Sequence, residues 1–328
     1  MEKGKICLAL YSGGLDSILA IKLVEQQGIR VKALFFRTPF FESDIAEKTA
    51  MANNIDLTIY NVFDEYLEIL KNPRYGYGKN LNPCIDCHGF MFRMALKLLP
   101  EFGADFVISG EVLGQRPMSQ RRDAMNAVAK LSGKRDLLIR PLCQQKFVDS
   151  LPIREGWVDK SRLLDIHGRG RQRQLGLAKE FGVTDFHNPG GGCKLTDIKY
   201  SKKLKDLITY NQLTERNILF LNYGRHFRLN SETKLIVGRN KAENVNLSAL
   251  VEEEIVLKTV QYQGPLGIIN KKALPSENEI SLAAQIVLRY NNNAGEKTQV
   301  AWGKNFLLNN FVCVEKLSSE AVNDLMIS

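Results

Sequence analysis

No stretch of this 328-residue chain stays apolar for the roughly 20 residues that a bilayer-spanning helix needs. No membrane association is expected. The apolar run at residues 6–10 is too short for the core of a secretion signal and leads straight into a glycine turn. A cytoplasmic protein is expected. Cysteine is scarce. Six in a chain of this size do not make a disulfide scaffold, and so long a chain can bury most of its apolar surface without staples. Internal repeats and low-complexity tracts are absent, which argues against a solenoid. Acidic residues are outnumbered. The formal charge is +9, and the excess lies in the last two thirds of the chain. That balance suits a polyanion such as RNA, bound through counterion release; a basic surface kept only for solubility fits the charge equally well.

What is present reads as two domains. In the first half, residues 6–10, 31–36, 57–62 and 106–109 have the composition of short strands, with 137–139 as a fifth. Residues 17–27, 44–53, 64–70 and 89–99 have helical spacing between them. This alternation predicts an α/β fold, a mainly parallel sheet with helices on both faces. Ligands of such sheets sit at the carboxyl ends of the strands. The 12–17 loop, Arg37 and Gly110 are expected on that edge. From about Tyr200 the pattern changes to a helix, then short β-like runs at 219–221, 227–229, 235–237, 255–260 and 266–269. A helix near 279–290 and a strand near 298–301 follow. The expected division is a first domain over 1–198 and a C-terminal α+β domain over 199–328.

The loop Ser12-Gly13-Gly14-Leu15-Asp16-Ser17 joins the first expected strand to the first expected helix. Two glycines let backbone approach a phosphate without a clashing Cβ. A helix N-terminus offers unpaired N–H groups and positive partial charge. Ser12 and Ser17 can donate hydroxyl hydrogen bonds. Asp16 repels phosphate, so its expected task is to help hold Mg²⁺. The loop is not the G-x-x-x-x-G-K-[ST] type, because the lysine is missing.

Three cysteines stand apart. Cys84 and Cys87 form a C-x-x-C pair in Asn82-Pro83-Cys84-Ile85-Asp86-Cys87-His88, just ahead of an expected helix. Such a pair can chelate a metal or run thiol–disulfide chemistry. Zinc would want two further ligands. A second C-x-x-C is absent, and His88 and His187 lack a standard spacing. Cys193 follows the glycines of the 187–193 segment, which reads as a glycine-rich turn. Spacing leaves three readings open: two catalytic thiols plus a bystander, with one carrying a persulfide; three ligands of an iron–sulfur cluster with one iron open; or ordinary thiols. Cys7, Cys143 and Cys313 lie in apolar surroundings and read as buried. Arg116, Arg121 and Arg122, and the alternating Arg169, Arg171 and Arg173, could hold an RNA backbone; the plainer reading is a solvated basic loop. His167 and His187 are assigned no catalytic role.

The 12–17 hexapeptide resembles the S-G-G-x-D-S signature of the PP-loop superfamily, with its adenine nucleotide alpha hydrolase-like fold. The 82–87 segment is similar to the N-P-x-x-x-C segment of the 2-thiouridylases, with Cys84 where that persulfide family usually has Asp. That departure resembles the cluster-dependent branch. The stretch from Ser109-Gly110-Glu111 to Gln120 is similar to the G-E-x-L-G-Q-x-x-S-Q stretch of the 4-thiouridine synthase (ThiI) family. Together these blocks, over about residues 1–198, resemble a tRNA thiouridine synthase. The N-terminal RNA-binding extension and the rhodanese-like domain of full-length 4-thiouridine synthases have no counterpart in the chain. A segment at 227–246 resembles the NFACT RNA-binding domain and stands where a replacement is needed.

The resemblance implies ATP cleavage between the α and β phosphates and adenylation of a uridine carbonyl oxygen, which sulfur then replaces. It implies a nucleotide site of Ser12, Gly13, Gly14, Asp16, Ser17, Gly110 and Gln115. It implies catalytic roles for Asp16, Cys84, Cys87 and Cys193, with the three cysteines holding a [4Fe–4S] cluster, or with Cys193 or Cys87 carrying a persulfide and the other as the resolving thiol. The implied partners are tRNA and a sulfur donor, a cysteine desulfurase or free sulfide. Two other classes compete: a PP-loop enzyme for a small molecule, and a non-catalytic RNA-binding protein on a PP-loop scaffold.

Overall fold

The computed structural model describes residues 4–187, 193–271 and 273–327. The glycines at 190–192 expected to form a turn lie outside the described residues. The chain divides into two compact units, 1–196 and 197–328.

The first unit runs β1 (Ile6–Leu10), α1 (Leu15–Glu25), β2 (Arg30–Arg37), α2 (Asp44–Ala52), β3 (Leu57–Asn61), α3 (Phe63–Lys71), α4 (Cys84–Phe102), β4 (Phe106–Ser109), α5 (Arg122–Leu131), β5 (Leu138–Ile139), α6 (Leu151–Arg154) and α7 (Gln172–Glu180). The five strands pair in parallel in the order β3-β2-β1-β4-β5. Strand residues alternate between the two faces. Cys7 and Ala9 of β1 pack with Ile18 and Val24 of α1 and Ala178 of α7 in one core. Leu8, between them, is buried toward the opposite face, where α4 lies across β1 and β4. Phe90, Phe92 and Leu96 of α4 are buried there. Each such fully buried side chain contributes about 1.5–3 kcal/mol. Covering both faces explains why the strands read as continuous apolar runs. The strand order reverses between β1 and β4, so a ligand crevice opens at their carboxyl ends. The 12–17 loop and Gly110 stand at that point.

Helix α4 begins at Cys84, not at Gly89 as expected, so the C-x-x-C pair lies inside the first helical turn. The Cys87 N–H already donates to the Pro83 carbonyl at 2.8 Å. Gly89 is not a break. A Cβ there would meet the Leu131 Cβ at 2.5 Å, so glycine lets α4 and α5 pack closely.

The second unit runs α8 (Ile198–Thr209), α9 (Glu215–Phe220), β6 (Arg225–Arg228), β7 (Lys234–Val237), α10 (Lys241–Leu250), β8 (Ile255–Thr259), β9 (Gly267–Asn270), α11 (Glu277–Arg289), β10 (Lys297–Lys304), β11 (Asn310–Glu315) and α12 (Ser319–Leu325). Its antiparallel sheet has the order β11-β10-β8-β9-β7-β6. Ala283 and Val287 of α11 share a core with Leu235, Leu257 and Val300. Residues 219–221, expected as a strand, fall at the end of α9, whose first turn is capped by the Thr214 hydroxyl. Cys313 is exposed, contrary to expectation, because β11 is an edge strand and this residue faces outward. Cys7 and Cys143 are buried. Thiol titration of the native protein should therefore lose one accessible group in Cys313→Ser; an unchanged count of accessible thiols would contradict this placement. Among the described residues no helix is long and apolar enough to cross a membrane.

Candidate active site

The 12–17 loop is shaped by close approaches. Gly13 has φ +73°, and a Cβ there would lie 2.7 Å from the Thr49 Oγ1 and 3.1 Å from the Ala46 Cα. Glycine alone suits that backbone and that space. Gly14 precedes α1 in an extended conformation and offers no side-chain cap. The leading N–H groups of α1 thus remain available to an anion. The Ser17 hydroxyl donates to the Gly14 carbonyl at 2.7 Å and ties the turn. Gly110 follows β4 and abuts this turn. A Cβ on it would sit 2.5 Å from the Asp16 carbonyl carbon and the Ser17 nitrogen. Its place in the site is thus to let two strand ends meet.

Asp16 is held from one side only. Its Oδ2 accepts from the Gln115 Nε2 at 2.6 Å, and the Gln115 Oε1 accepts from the Gln174 Nε2 at 3.0 Å. Its Oδ1 is buried with no partner among the described residues. Burial raises the Asp16 pKa, against Gln115, Arg171 and Arg116, which favour the carboxylate. A buried carboxylate oxygen that lacks a donor fits a cation such as Mg²⁺.

A cavity of about 580 Å³ opens from this loop. Ser12, Gly14, Asp16 and Ser17 line one part of it; Cys84, Cys87 and Cys193 line another. The C-x-x-C pair and the distant third cysteine therefore reach one chamber with the 12–17 loop. Among the described residues no three His, Cys, Asp or Glu side chains are grouped as a metal-ion site. The donor set still suits a sulfur-rich centre: three free thiols facing one cavity.

The three thiols differ. Burial pushes Cys87 up to about 12, with the neighbouring Cys193 and Cys84 adding to the rise. Burial also raises Cys193. Burial opposes the Cys84 thiolate too, but a hydrogen bond and charge from His88, with help from Ser119 and Arg116, outweigh it and lower the Cys84 pKa. His88 lies one helical turn beyond Cys84, on the same side of α4. Its Nδ1 donates to the Glu111 Oε1 at 2.9 Å, and the Glu111 Oε2 accepts from the Arg140 Nε at 2.7 Å. Burial works against the charged imidazole, but Cys84 and Glu111 raise His88 to about 10. Burial likewise opposes the Glu111 carboxylate, but Arg140 and His88 hold it down at about 2. Cys84, His88, Glu111 and Arg140 form one polar chain.

Glu111 and Arg140 were not singled out from sequence, and His88 only as a weak metal ligand. The signals were the i, i+4 spacing of Cys84 and His88, and the positions of Glu111 and Arg140 just beyond the carboxyl ends of β4 and β5. Of the arginines assigned to RNA, Arg116 and Arg171 line the cavity, and the buried Arg171 Nε has no partner among the described residues. Arg121, Arg122, Arg169 and Arg173 are exposed. Arg121 pairs with Asp123 and Arg173 with Asp165, while Arg122 donates to the Lys146 carbonyl.

Residues 2–148 match the family described as "Thiamine biosynthesis protein (ThiI)", and residues 224–326 match "NFACT protein RNA binding domain". A "tRNA-specific 2-thiouridylase MnmA" of Petrotoga mobilis is 31% identical over 131 residues, covering 33% of this chain and 36% of the relative. A "Probable tRNA sulfurtransferase" of Finegoldia magna is 33% identical over 117 residues, covering 33% of this chain and 29% of the relative. The chain thus spans about a third of the length of these relatives. A solved structure of a 4-thiouridine synthetase–RNA complex with bound ATP is similar at 19% identity and a TM-score of 0.39, covering 66% of this chain and 53% of that one.

Proposed function

We propose that this chain, which joins a ThiI-type PP-loop domain over residues 2–148 to an NFACT-type RNA-binding domain over 224–326, uses ATP to replace a uridine carbonyl oxygen of tRNA by sulfur. The observation that carries this reading is the single cavity shared by the 12–17 loop and three cysteines. Oxygen-to-sulfur exchange needs an activated carbonyl beside a sulfur carrier, and an adenylating enzyme that transfers no sulfur would have no use for the thiols. A tRNA substrate implies a cytoplasmic reaction.

In this reading the ATP phosphates rest on the 12–17 loop and the α1 N-terminus, with Arg116 and Arg171 compensating their charge. The Asp16 Oδ1 would hold Mg²⁺. The uridine oxygen attacks the α-phosphorus and pyrophosphate leaves. The resulting adenylate makes that oxygen part of a good leaving group. Sulfur then attacks the same carbon and AMP departs. The base must leave the RNA stack to reach the cavity. Arg121, Arg122, Arg169 and Arg173 present charge to the RNA backbone, and the 224–326 domain supplies further RNA contacts.

Cys84, Cys87 and Cys193 would hold the [4Fe–4S] cluster. Bound by three cysteines, the cluster would supply one open iron to carry sulfide. A persulfide route is the second reading. The lowered Cys84 pKa favours that residue as its carrier over the deeply buried Cys87. Anaerobic iron and sulfide counts on wild type and Cys84→Ala separate the two: an active, iron-free wild type excludes the cluster.

AMP formation that depends on tRNA tests the whole reading. Asp16→Asn should lower it at least about a hundredfold, since the variant loses the charge that holds the cation beside the phosphates. AMP formed equally well without RNA would favour the small-molecule alternative, and none under any condition would favour the non-catalytic one.

A further inference from the structure

The segment between α3 and α4 reads Arg74-Tyr75-Gly76-Tyr77-Gly78-Lys79. Two aromatic rings lie between two cations in it, and all six residues are exposed. Tyr75 is 42% exposed and Tyr77 39%. Large rings left in water forgo burial, yet the backbone that carries them is firmly held. The buried Asp86 carboxylate, inside the C-x-x-C pair, accepts from the Arg74 N–H at 2.8 Å and the Tyr75 N–H at 2.9 Å. The Gly78 N–H donates to the Asn82 carbonyl at 2.8 Å. The Tyr77 hydroxyl donates to the Leu70 carbonyl at 2.6 Å, which fixes the ring without covering it.

The far end of the segment is tied to the third cysteine. The Asn80 Nδ2 donates to the Thr196 carbonyl at 2.7 Å, and the Thr196 hydroxyl donates to the Cys193 carbonyl at 2.7 Å. The segment therefore spans from the helix that carries Cys84 to the stretch of chain that carries Cys193. It also borders the cavity. Asn82 and Met118 line that cavity, and Gly78 lies against Met118 so closely that a Cβ would meet the Met118 Cε at 2.8 Å. No acidic side chain among the described residues pairs with Arg74 or Lys79, so both charges are open to phosphate.

We infer that Arg74, Tyr75, Tyr77 and Lys79 form a platform at the cavity mouth for the unpaired RNA nucleotides that flank the reacting base. The inference rests on the RNA reading above and names where the strand would lie. A base drawn into the cavity leaves its neighbours unstacked. Exposed rings accept the face of any base, and the flanking cations neutralise nearby phosphates. Rings held in advance on a rigid backbone lose little freedom on binding.

Binding of tRNA to the full chain tests this, read by fluorescence anisotropy across a salt series. Tyr75→Ala should weaken binding about tenfold with the thermal midpoint unchanged, and Tyr75→Phe should bind within about twofold of wild type. Arg74→Ala with Lys79→Ala should flatten the slope of log K against log salt by about 1.4, at about 0.7 for each single-strand phosphate that is no longer neutralised. Wild-type affinity and slope in these variants would overturn the inference. So would unchanged tRNA binding with lost transfer from a cysteine desulfurase, which would assign the platform to a protein partner. If wild type itself binds no tRNA, the RNA reading falls first and this inference with it, a result distinct from a failure of the variants alone.

Discussion

Replacing Cys84 with alanine should lower sulfur transfer to tRNA by roughly a thousandfold or more, as removal of a covalent or ligating group at a reacting centre does. Cys84 is the cysteine whose surroundings are organised around its sulfur. It lies half-buried in the first turn of α4, lines the cavity that the phosphate loop opens into, and has His88 one turn ahead. Whether sulfur arrives on a metal centre or as a persulfide, the thiolate is the form that acts, and Cys84 is the thiol biased toward it. Cys193→Ala should behave alike, because it lines the same chamber. ATP binding, measured by nucleotide-dependent thermal stabilisation, should survive both changes, since neither side chain belongs to the 12–17 loop. Cys313→Ser, on the outer strand of the other unit, should be indistinguishable from wild type in transfer. A Cys84→Ala protein that keeps a tenth of its activity would separate the cysteine pair from the chemistry.

The largest expected loss of stability comes from Arg140→Met. The Arg140 and Glu111 side chains are 7% and 6% exposed and meet at 2.7 Å. Removing the guanidinium leaves a buried carboxylate with His88 as its one remaining charged partner, at a cost of about 3–5 kcal/mol. For a unit of this size each kcal/mol moves the melting temperature by about 2–4 °C, so a drop of roughly 6–20 °C is expected. Adding Glu111→Gln to Arg140→Met should recover much of it, because the second change removes the stranded charge. A double variant no more stable than Arg140→Met would place the cost in packing, since Arg140 also lies over the Phe92 and Phe147 rings.

The same network sets a pH window. Glu111 is held at about 2 in the fold against an ordinary 4.5, so its stabilisation is fully present above about 4.5 and fades as pH falls toward 2. His88 is raised to about 10 from 6.5, so its contribution is full below about 6.5 and fades as pH rises toward 10. Both are in force between about 4.5 and 6.5. Glu111→Gln should flatten the stability profile on both flanks, measured as melting temperature against pH.

Much of the first unit could be read from residues alone. β1 and β4 are bare apolar runs because helices cover both faces of their sheet, and their bounds are those expected. The start of α4 was misread because Gly89 looks like a break, whereas its missing Cβ serves a close helix packing that exists only in three dimensions. The apolar triplet at 219–221 is too short for its period to separate strand from helix. Cys313 was misread because an apolar neighbourhood in sequence says nothing of which strand is the edge. The phosphate loop is contiguous and so could be recognised as a motif. The chamber could not, for it depends on packing that brings Cys193 into one cavity with Cys84 and Cys87. The polar chain behind Cys84 was hidden for the same reason: His88, Glu111 and Arg140 come from one helix and two strand ends.

The most direct measurement is the nucleoside content of tRNA. Unthiolated tRNA, ATP, Mg²⁺ and sulfide are incubated anaerobically with the full chain, the tRNA is digested, and thiouridine is measured by mass spectrometry beside released AMP. Thiouridine and AMP rising together, and both lost in Asp16→Asn and in Cys84→Ala, is the predicted result. AMP released with no sulfur in the RNA, or thiouridine formed without ATP, would contradict it.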